Sequence, residues 1–98
     1  MWKVKIEEEA SEIFQSTALT VDDRIVIRKW AETVVKFGPE GLQRQASVWA
    51  DHALVGQWKG HRASSFSYKG RIIYRIEGNI ITVVVVKITT DHDYRREK

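Results

Sequence analysis

The sequence predicts an α+β fold, a single layer of helices packed against a sheet. Residues 2–6 alternate in polarity as a strand does, residues 20–37 have helical spacing, and the last third carries three strand-like runs separated by short turns. An order of strand, helices and antiparallel meander is typical of the α+β class. We therefore expect an N-terminal strand and two to three helices packed on an antiparallel sheet of about four strands.

The helices are predicted from capping and spacing. Glu8 and Glu9 fall in the first turn of a short helix, where carboxylates are stabilised by the helix dipole. Thr20 and Asp23 resemble a capping box that begins the second helix, and Gly38-Pro39 ends it. Its apolar residues recur at helical spacing: Val26, Trp30, Val34 and Phe37. A weaker helical stretch covers residues 39–50.

Three strands are predicted after a loop at residues 52–60, and they cover about residues 62–68, 71–77 and 80–89. Two-residue turns at 69–70 and 78–79 join them. The apolar run from Ile80 to Val86 indicates a central strand covered on both faces.

If the turns at residues 69–70 and 78–79 each contain two residues, they fix the register of the three strands. Tyr68 then lies opposite Arg71, and Glu77 lies opposite Ile80. One face is predicted to carry Arg62, Ser64, Phe66, Arg71, Arg75 and Thr82. The other is almost wholly apolar and is expected to meet the helices: Ala63, Ile72, Tyr74, Ile76, Ile81, Val83 and Val85. If the last strand stays extended, Ile88, Thr90, His92 and Tyr94 join the arginine side.

Composition bounds the class of protein. The 98 residues suffice for one domain, 1–98, and the 43% hydrophobic content is that of a soluble globule. Because there is no cysteine, disulfides and thiolate zinc sites are excluded. The three histidines lack metal-ligand spacing, so we expect no metal and no cofactor. No apolar run is long enough to span a membrane, and a cytoplasmic location is expected.

The charge is unevenly distributed. Residues 1–51 hold seven Lys/Arg against nine Asp/Glu, and residues 52–98 hold nine against four, so the two halves carry −2 and +5. A basic C-terminal half favours a polyanionic partner, with nucleic acid first. A solvated basic surface without a ligand is the alternative.

The predicted arginine face suits RNA cleavage by the RNA's own 2′-hydroxyl. Arginine forks hold phosphate oxygens, a histidine transfers protons near neutral pH, and a tyrosine stacks on a base or donates to an oxyanion. That reaction needs a base, an acid and cations on the phosphate, and no metal. In the competing interpretation Arg62 pairs with Glu77, and Trp58 anchors its loop to the core.

The segment from Asp51 to Tyr94 resembles the RelE/ParE superfamily of bacterial toxins. The motif D-H-x-L-x-G-x-W-K-G-x-R of residues 51–62 is similar to a signature of the YafQ-like and RelE-like branches. The run R-I-I-Y-R-I of residues 71–76 resembles a segment of the YoeB-like branch. His92 followed by Tyr94 resembles the terminal pair of several of these RNases.

The resemblance implies a RelE-like single domain and a ribosome-dependent mRNA interferase that leaves a 2′,3′-cyclic phosphate. It implies catalytic roles for His52, Lys59, Arg71, His92 and Tyr94, and we expect RNA contacts from Arg62, Lys69, Arg75, Arg95 and Arg96. Two positions depart from the YafQ-like pattern, with Ser65 in place of a histidine and Lys69 in place of an acidic residue. The general base stays open among His52, Lys59 and His92.

The implied partners are a cognate antitoxin, the ribosome and mRNA, with a toxin–antitoxin hetero-oligomer and no membrane. A disordered antitoxin segment that folds on binding would use the helix of residues 20–37 or the basic sheet face. Two other functions stay open: a ParE-like inhibitor of DNA gyrase without RNase activity, and an inactive relative that binds RNA or antitoxin.

Overall fold

The computed structural model describes residues 2–88 of the chain. These residues form four helices and five strands. In chain order the elements are β1 (Lys3–Ile6), α1 (Glu8–Phe14), α2 (Val21–Phe37), α3 (Pro39–Gln43), α4 (Ala46–Trp49), β2 (His52–Ala53), a 3₁₀ turn (Gly56–Trp58), β3 (His61–Ser65), β4 (Gly70–Glu77) and β5 (Ile80–Ile88). The predicted α+β class is confirmed.

The five strands form one sheet in the order β1-β5-β4-β3-β2. β1 runs parallel to β5, and the other neighbours are antiparallel. The sheet is therefore mixed and has one strand more than the four that we expected. The additional strand is β2, whose two residues lie in the predicted loop, and periodicity cannot detect a strand this short.

The predicted start and end of α2 are confirmed. The Thr20 hydroxyl accepts the Asp23 amide at 3.0 Å, and the Asp23 carboxylate accepts the Thr20 amide at 3.0 Å. The helix ends at Gly38, whose φ of +73° is one that residues with a Cβ rarely adopt. Gly38 also lies under the Trp2 indole, where an added Cβ would come within 2.5 Å of Nε1.

The core lies between the helices and one face of the sheet. The first half of the chain contributes Ala10, Leu19, Ile27, Trp30, Val34, Leu42 and Trp49. The second half contributes Phe66, Ile72, Tyr74, Ile81, Val83 and Val86. At the centre, the Trp30 and Tyr74 rings meet edge to face at 5.5 Å. We call this side of the sheet the helix face.

The predicted register between β3 and β4 is wrong by three residues. Ser65, and not Tyr68, lies opposite Arg71. The cause is packing, because the buried Phe66 places its ring over Gly70, where an added Cβ would lie 2.3 Å from the ring. Gly70 is therefore the first residue of β4 and accepts the Phe66 amide at 3.1 Å, instead of forming a two-residue turn.

An odd shift of register exchanges the two faces of a strand. Arg62 and Ser64, which we predicted to lie beside Arg71, lie on the helix face opposite Tyr74 and Ile72. The other side of β3 carries His61, Ala63 and Ser65. The position of Ser65 on the Arg71 side agrees with the resemblance and not with the predicted register.

The register between β4 and β5 is as predicted only for its first half. Arg75 lies opposite Thr82, but an irregularity between Ile73 and Tyr74 shifts the remaining pairs by one residue. Arg71 consequently lies opposite Lys87 instead of Val86. β-Bulges of this kind insert one residue and cannot be read from an unbroken apolar run.

The irregularity corrects two placements in β5. Val85, predicted on the helix face, lies opposite Ile73 on the other side, and Ile88, predicted on the arginine side, packs on the core. The placement of Thr90, His92 and Tyr94 assumed regular alternation through this strand. All three lie outside the described residues.

Gly70→Ala tests the packing that sets the β3–β4 register. We expect it to lower the free energy of unfolding by about 1–3 kcal/mol, because the new methyl overlaps the buried Phe66 ring. Urea unfolding measures the loss. In a Phe66→Ala background the same substitution should cost almost nothing, and an equal cost in both backgrounds would contradict this origin of the register.

Candidate active site

The side of the sheet opposite the helix face carries a concentration of basic residues and histidines. The strand pairings place there Lys5, His52, His61, Arg71, Arg75 and Lys87. We call this surface the basic face. Its residues lie in three rows about 6.7 Å apart along the strands. One row contains His61 and Arg75, the middle row contains His52, and the third contains Arg71.

The two predicted arginines occupy opposite ends of the basic face. Arg71 and Arg75 are separated by four residues of β4, or roughly 13 Å. Arg71 folds back so that Nη1 donates to carbonyls of the preceding turn, the nearest at 2.9 Å. Arg75 instead donates to Glu77 at 2.9 Å and to Glu7 at 3.2 Å. Both arginines lie on the same face of the sheet, as predicted, but their guanidinium groups do not meet there.

His52 lies in the edge strand β2, opposite Ala63 in the middle row. Its side chain is exposed, and its Nδ1 is 3.0 Å from the Ala50 carbonyl oxygen. Ala50 has a left-handed φ of +47°, which costs about 1–2 kcal/mol for a residue with a Cβ. Surrounding contacts must hold this backbone in place, and the adjacent Asp51 supplies them.

Asp51 is the centre of a buried hydrogen-bond network. Its side chain has no exposed surface. Arg62 Nε donates to Oδ1 at 2.7 Å, while the hydroxyls of Ser64 and Tyr74 donate to Oδ2 at 2.6 and 2.5 Å. Trp30 Nε1 in turn donates to Ser64 Oγ at 3.0 Å. The carboxylate thus joins the segment before β2 to strands β3 and β4 and to helix α2.

The network explains two shifted pKa values. Burial, reinforced by the hydrogen bond to the Asp51 carboxylate, raises the pKa of Tyr74 well above its ordinary value. Burial alone would lower the pKa of Arg62, but the hydrogen bond and the charge of Asp51 outweigh it and raise that pKa. Arg62 therefore pairs with Asp51, and the pairing with Glu77 considered from the sequence is wrong.

The remaining predicted residues are spread along the chain. Lys59 is exposed directly after the 3₁₀ turn, and Lys69 is exposed in the β3–β4 turn. His92, Tyr94, Arg95 and Arg96 lie outside the described residues. Within residues 2–88, no three His, Asp or Glu side chains form a group suited to a metal ion. None of the helices in that range is long and apolar enough to cross a membrane.

Comparisons with known proteins identify the fold. No family model matches the sequence, and no curated protein matches it. A copper-bound mutant toxin from Helicobacter pylori superposes with a TM-score of 0.73 at 20% identity, over 90% of this chain and 94% of that chain. YafQ from Escherichia coli strain BL21(DE3) superposes with a TM-score of 0.63 at 15% identity, over 91% and 94%. The chain has the fold of these toxins.

A third similar structure is a chain of the YoeB–YefM complex from Staphylococcus aureus, with a TM-score of 0.69 at 14% identity over 92% of this chain and 99% of that chain. The RelE/ParE-type fold that the sequence resemblance implied is therefore confirmed. Within this toxin fold, the motif at residues 51–62 supplies both Asp51 of the network and His52 of the basic face.

The sequence interpretation missed two residues of the site. Asp51 was recognised as part of the motif but was given no role, because no local sequence signal shows that its carboxylate is buried. His61 was assigned to neither face of the predicted sheet, because the predicted strand began at Arg62. A register shifted by three residues would have placed His61 beside Arg75.

Asp51→Asn tests the network. We expect a loss of about 3–5 kcal/mol in unfolding free energy, because the substitution leaves the half-buried Arg62 guanidinium without its counter-charge. Asp22→Asn, at an exposed position in the first turn of α2, is the matched control and should cost no more than about 1 kcal/mol. Chemical denaturation measures both variants. If both lose the same unfolding free energy, the buried Asp51 carboxylate stabilises the fold no more than an exposed one.

The raised pKa of Tyr74 predicts an alkaline loss of stability. Above pH ~10 a tyrosine in the unfolded chain ionises while Tyr74 in the folded protein keeps its proton, so stability falls as pH rises, by up to ~1.4 kcal/mol per pH unit. Tyr74→Phe should remove this component of the slope in urea titrations above pH ~10. Tyr68→Phe, at a 90% exposed position, should retain it. A slope unchanged by Tyr74→Phe would contradict the assignment.

Proposed function

We propose that the chain is a RelE/ParE-superfamily toxin of a type II toxin–antitoxin system that cleaves mRNA on the ribosome without a metal. The observation that carries this proposal is the basic face, which presents His52 and Arg71 on the same side of a sheet in a fold shared with YafQ and YoeB. Residues 1–98 would form one toxin domain acting in the cytoplasm.

The proposed reaction is transesterification. The RNA 2′-oxygen attacks the adjacent phosphorus, the P–O5′ bond breaks, and the products are a 2′,3′-cyclic phosphate and a 5′-hydroxyl. We favour His52 as the base, because an Nδ1 hydrogen bonded to the Ala50 carbonyl leaves Nε2 free to take the 2′-hydroxyl proton. Lys59, His92 and Tyr94 are proposed to serve the leaving oxygen, and Arg71 to hold the phosphate.

The other proposed RNA contacts are electrostatic. Lys69, Arg75, Arg95 and Arg96 are proposed to bind RNA phosphates. Arg62 would contribute only through the quarter of its side chain that the Asp51 network leaves exposed. Each neutralised phosphate releases counterions, so affinity for ribosomes should fall steeply as salt rises.

A cognate antitoxin is the proposed silencing partner. One of the similar structures is a heterotetrameric YoeB–YefM toxin–antitoxin complex from Staphylococcus aureus. A polyanion-binding surface of this kind would be blocked by an acidic segment that folds upon it.

The test is a translation extract with a defined mRNA, in which cut positions and their end chemistry are mapped with and without ribosomes. We expect codon-positioned cuts that require ribosomes and carry 2′,3′-cyclic phosphate ends. Arg71→Ala should reduce the cleavage rate by about 10²-fold or more, because it removes the positive charge that is proposed to contact the phosphate. Arg44→Ala, at the exposed position that follows α3, should cleave at the rate of the parent protein.

The alternatives give different results in the same extract. A gyrase inhibitor would leave the mRNA intact and would block DNA supercoiling in a parallel assay. An inactive relative would bind ribosomes or antitoxin without cutting. Either result would overturn the proposed RNase activity.

A further inference from the structure

His61 is a residue of the basic face that no motif assigns. It begins β3, opposite Arg75, and its carbonyl accepts the Leu54 amide at 2.9 Å. Its ring meets the Trp58 ring edge to face, with centroids 5.2 Å apart. Its Nδ1 is buried and has no hydrogen-bond partner in the part of the chain that the structure describes.

The buried Nδ1 indicates where the neutral His61 ring carries its hydrogen. A neutral imidazole has one N–H donor and one bare acceptor nitrogen. Among buried backbone groups, an orphaned N–H is rarer than an under-satisfied acceptor, and we apply the same preference to the imidazole nitrogens. The hydrogen of His61 is therefore assigned to Nε2, and this N–H is the donor that the residue has available on the basic face.

His52 has the complementary arrangement. Because the Ala50 carbonyl can only accept, the contact at 3.0 Å places the hydrogen of His52 on Nδ1. Its Nε2 is then an acceptor. One imidazole of the basic face can thus take a proton while the other donates a hydrogen bond.

The backbones of His52 and His61 are close enough for both side chains to reach one phosphate. His52 lies opposite Ala63, and His61 precedes Ala63 by two residues on the same side of β3. Such diagonal cross-strand neighbours have Cα atoms about 7–8 Å apart, within reach of long or aromatic side chains. A phosphate group bound between these two residues would be within reach of both side chains.

We propose that His61 is a second substrate-contacting residue whose Nε2–H donates to a non-bridging oxygen of the RNA phosphodiester that His52 activates. This inference rests on the proposed function and adds a residue to it. His61 transfers no proton in the reaction. It stabilises the negative charge that grows on the phosphoryl oxygens as the 2′-oxygen attacks.

Arg75 is a weaker candidate for that contact, although it lies directly opposite His61. Glu7 and Glu77 both bind its guanidinium, and their carboxylates repel a phosphate. The scissile phosphate is therefore placed at the middle row of the basic face, beside His52, where His61 and Arg71 each lie one row away.

The first test is independent of catalysis. Long-range ¹H–¹⁵N spectra of the wild-type protein report the tautomer of each histidine. We expect the Nε2–H form for His61 and the Nδ1–H form for His52. A His61 ring with its hydrogen on Nδ1 would overturn the proposal, whatever the protein does to RNA.

The second test compares cleavage rates of two variants in the ribosome-programmed reaction. His61→Phe keeps a ring against Trp58 but has no donor, and it should cut about 10²-fold more slowly with unchanged thermal unfolding. His61→Gln, whose amide nitrogen approximates the position of Nε2, should recover most of that loss. Cleavage by His61→Phe at the wild-type rate would overturn the contact while the RNase function stands.

A binding measurement separates this contact from the function itself. The probe is a single-stranded RNA trinucleotide with a 2′-deoxy central residue, which cannot be cut at that position. We expect its addition to shift the ring signals of both His52 and His61. If these signals move but the wild-type protein cuts no mRNA, the contact stands and the proposed RNase activity fails; if they do not move, the contact is overturned.

Discussion

The buried carboxylate of Asp51 is the constraint on which the rest of the structure depends. It is fully desolvated, a state that is costly unless each of its oxygens is hydrogen bonded. Three donors from two strands satisfy it, and the Trp30 indole extends the network to α2. Replacement of such a centre by apolar residues can be neutral for stability, so specificity is the better reason for its presence. Here it fixes the chain direction just before the edge strand that carries His52.

Local signals in the sequence were sufficient for the helices. The capping box of Thr20 and Asp23 and the stop at Gly38 act within one turn of chain, so that no tertiary information is needed to find them. The assignment of residues to sheet faces depended instead on register. The ring of Phe66 over Gly70 and the irregularity in β5 each arise from packing between strands, and each reverses the alternation beyond it.

The candidate site was accordingly predicted in part. His52 and Arg71 were identified from motif resemblance, which does not depend on register, and both lie on the basic face. Arg62 was assigned to that face through the register and lies on the other, paired with Asp51. His61 was missed because β3 begins one residue earlier than predicted. When a role is inferred from the sheet face on which a residue lies, the inference depends on the strand register, and the turn sets that register.

Hydrogen exchange of backbone amides in Asp51→Asn tests most directly whether the buried carboxylate holds the site in place. We expect the Leu54 amide, which donates to the His61 carbonyl, and the amides of β3 to lose protection first. The amides of Ile81 and Val83 in β5, which lies between β1 and β4, should retain their protection until global unfolding. A uniform loss of protection across β3 and β5, or none in either, would contradict the claim that Asp51 specifically positions the strand edge bearing His52.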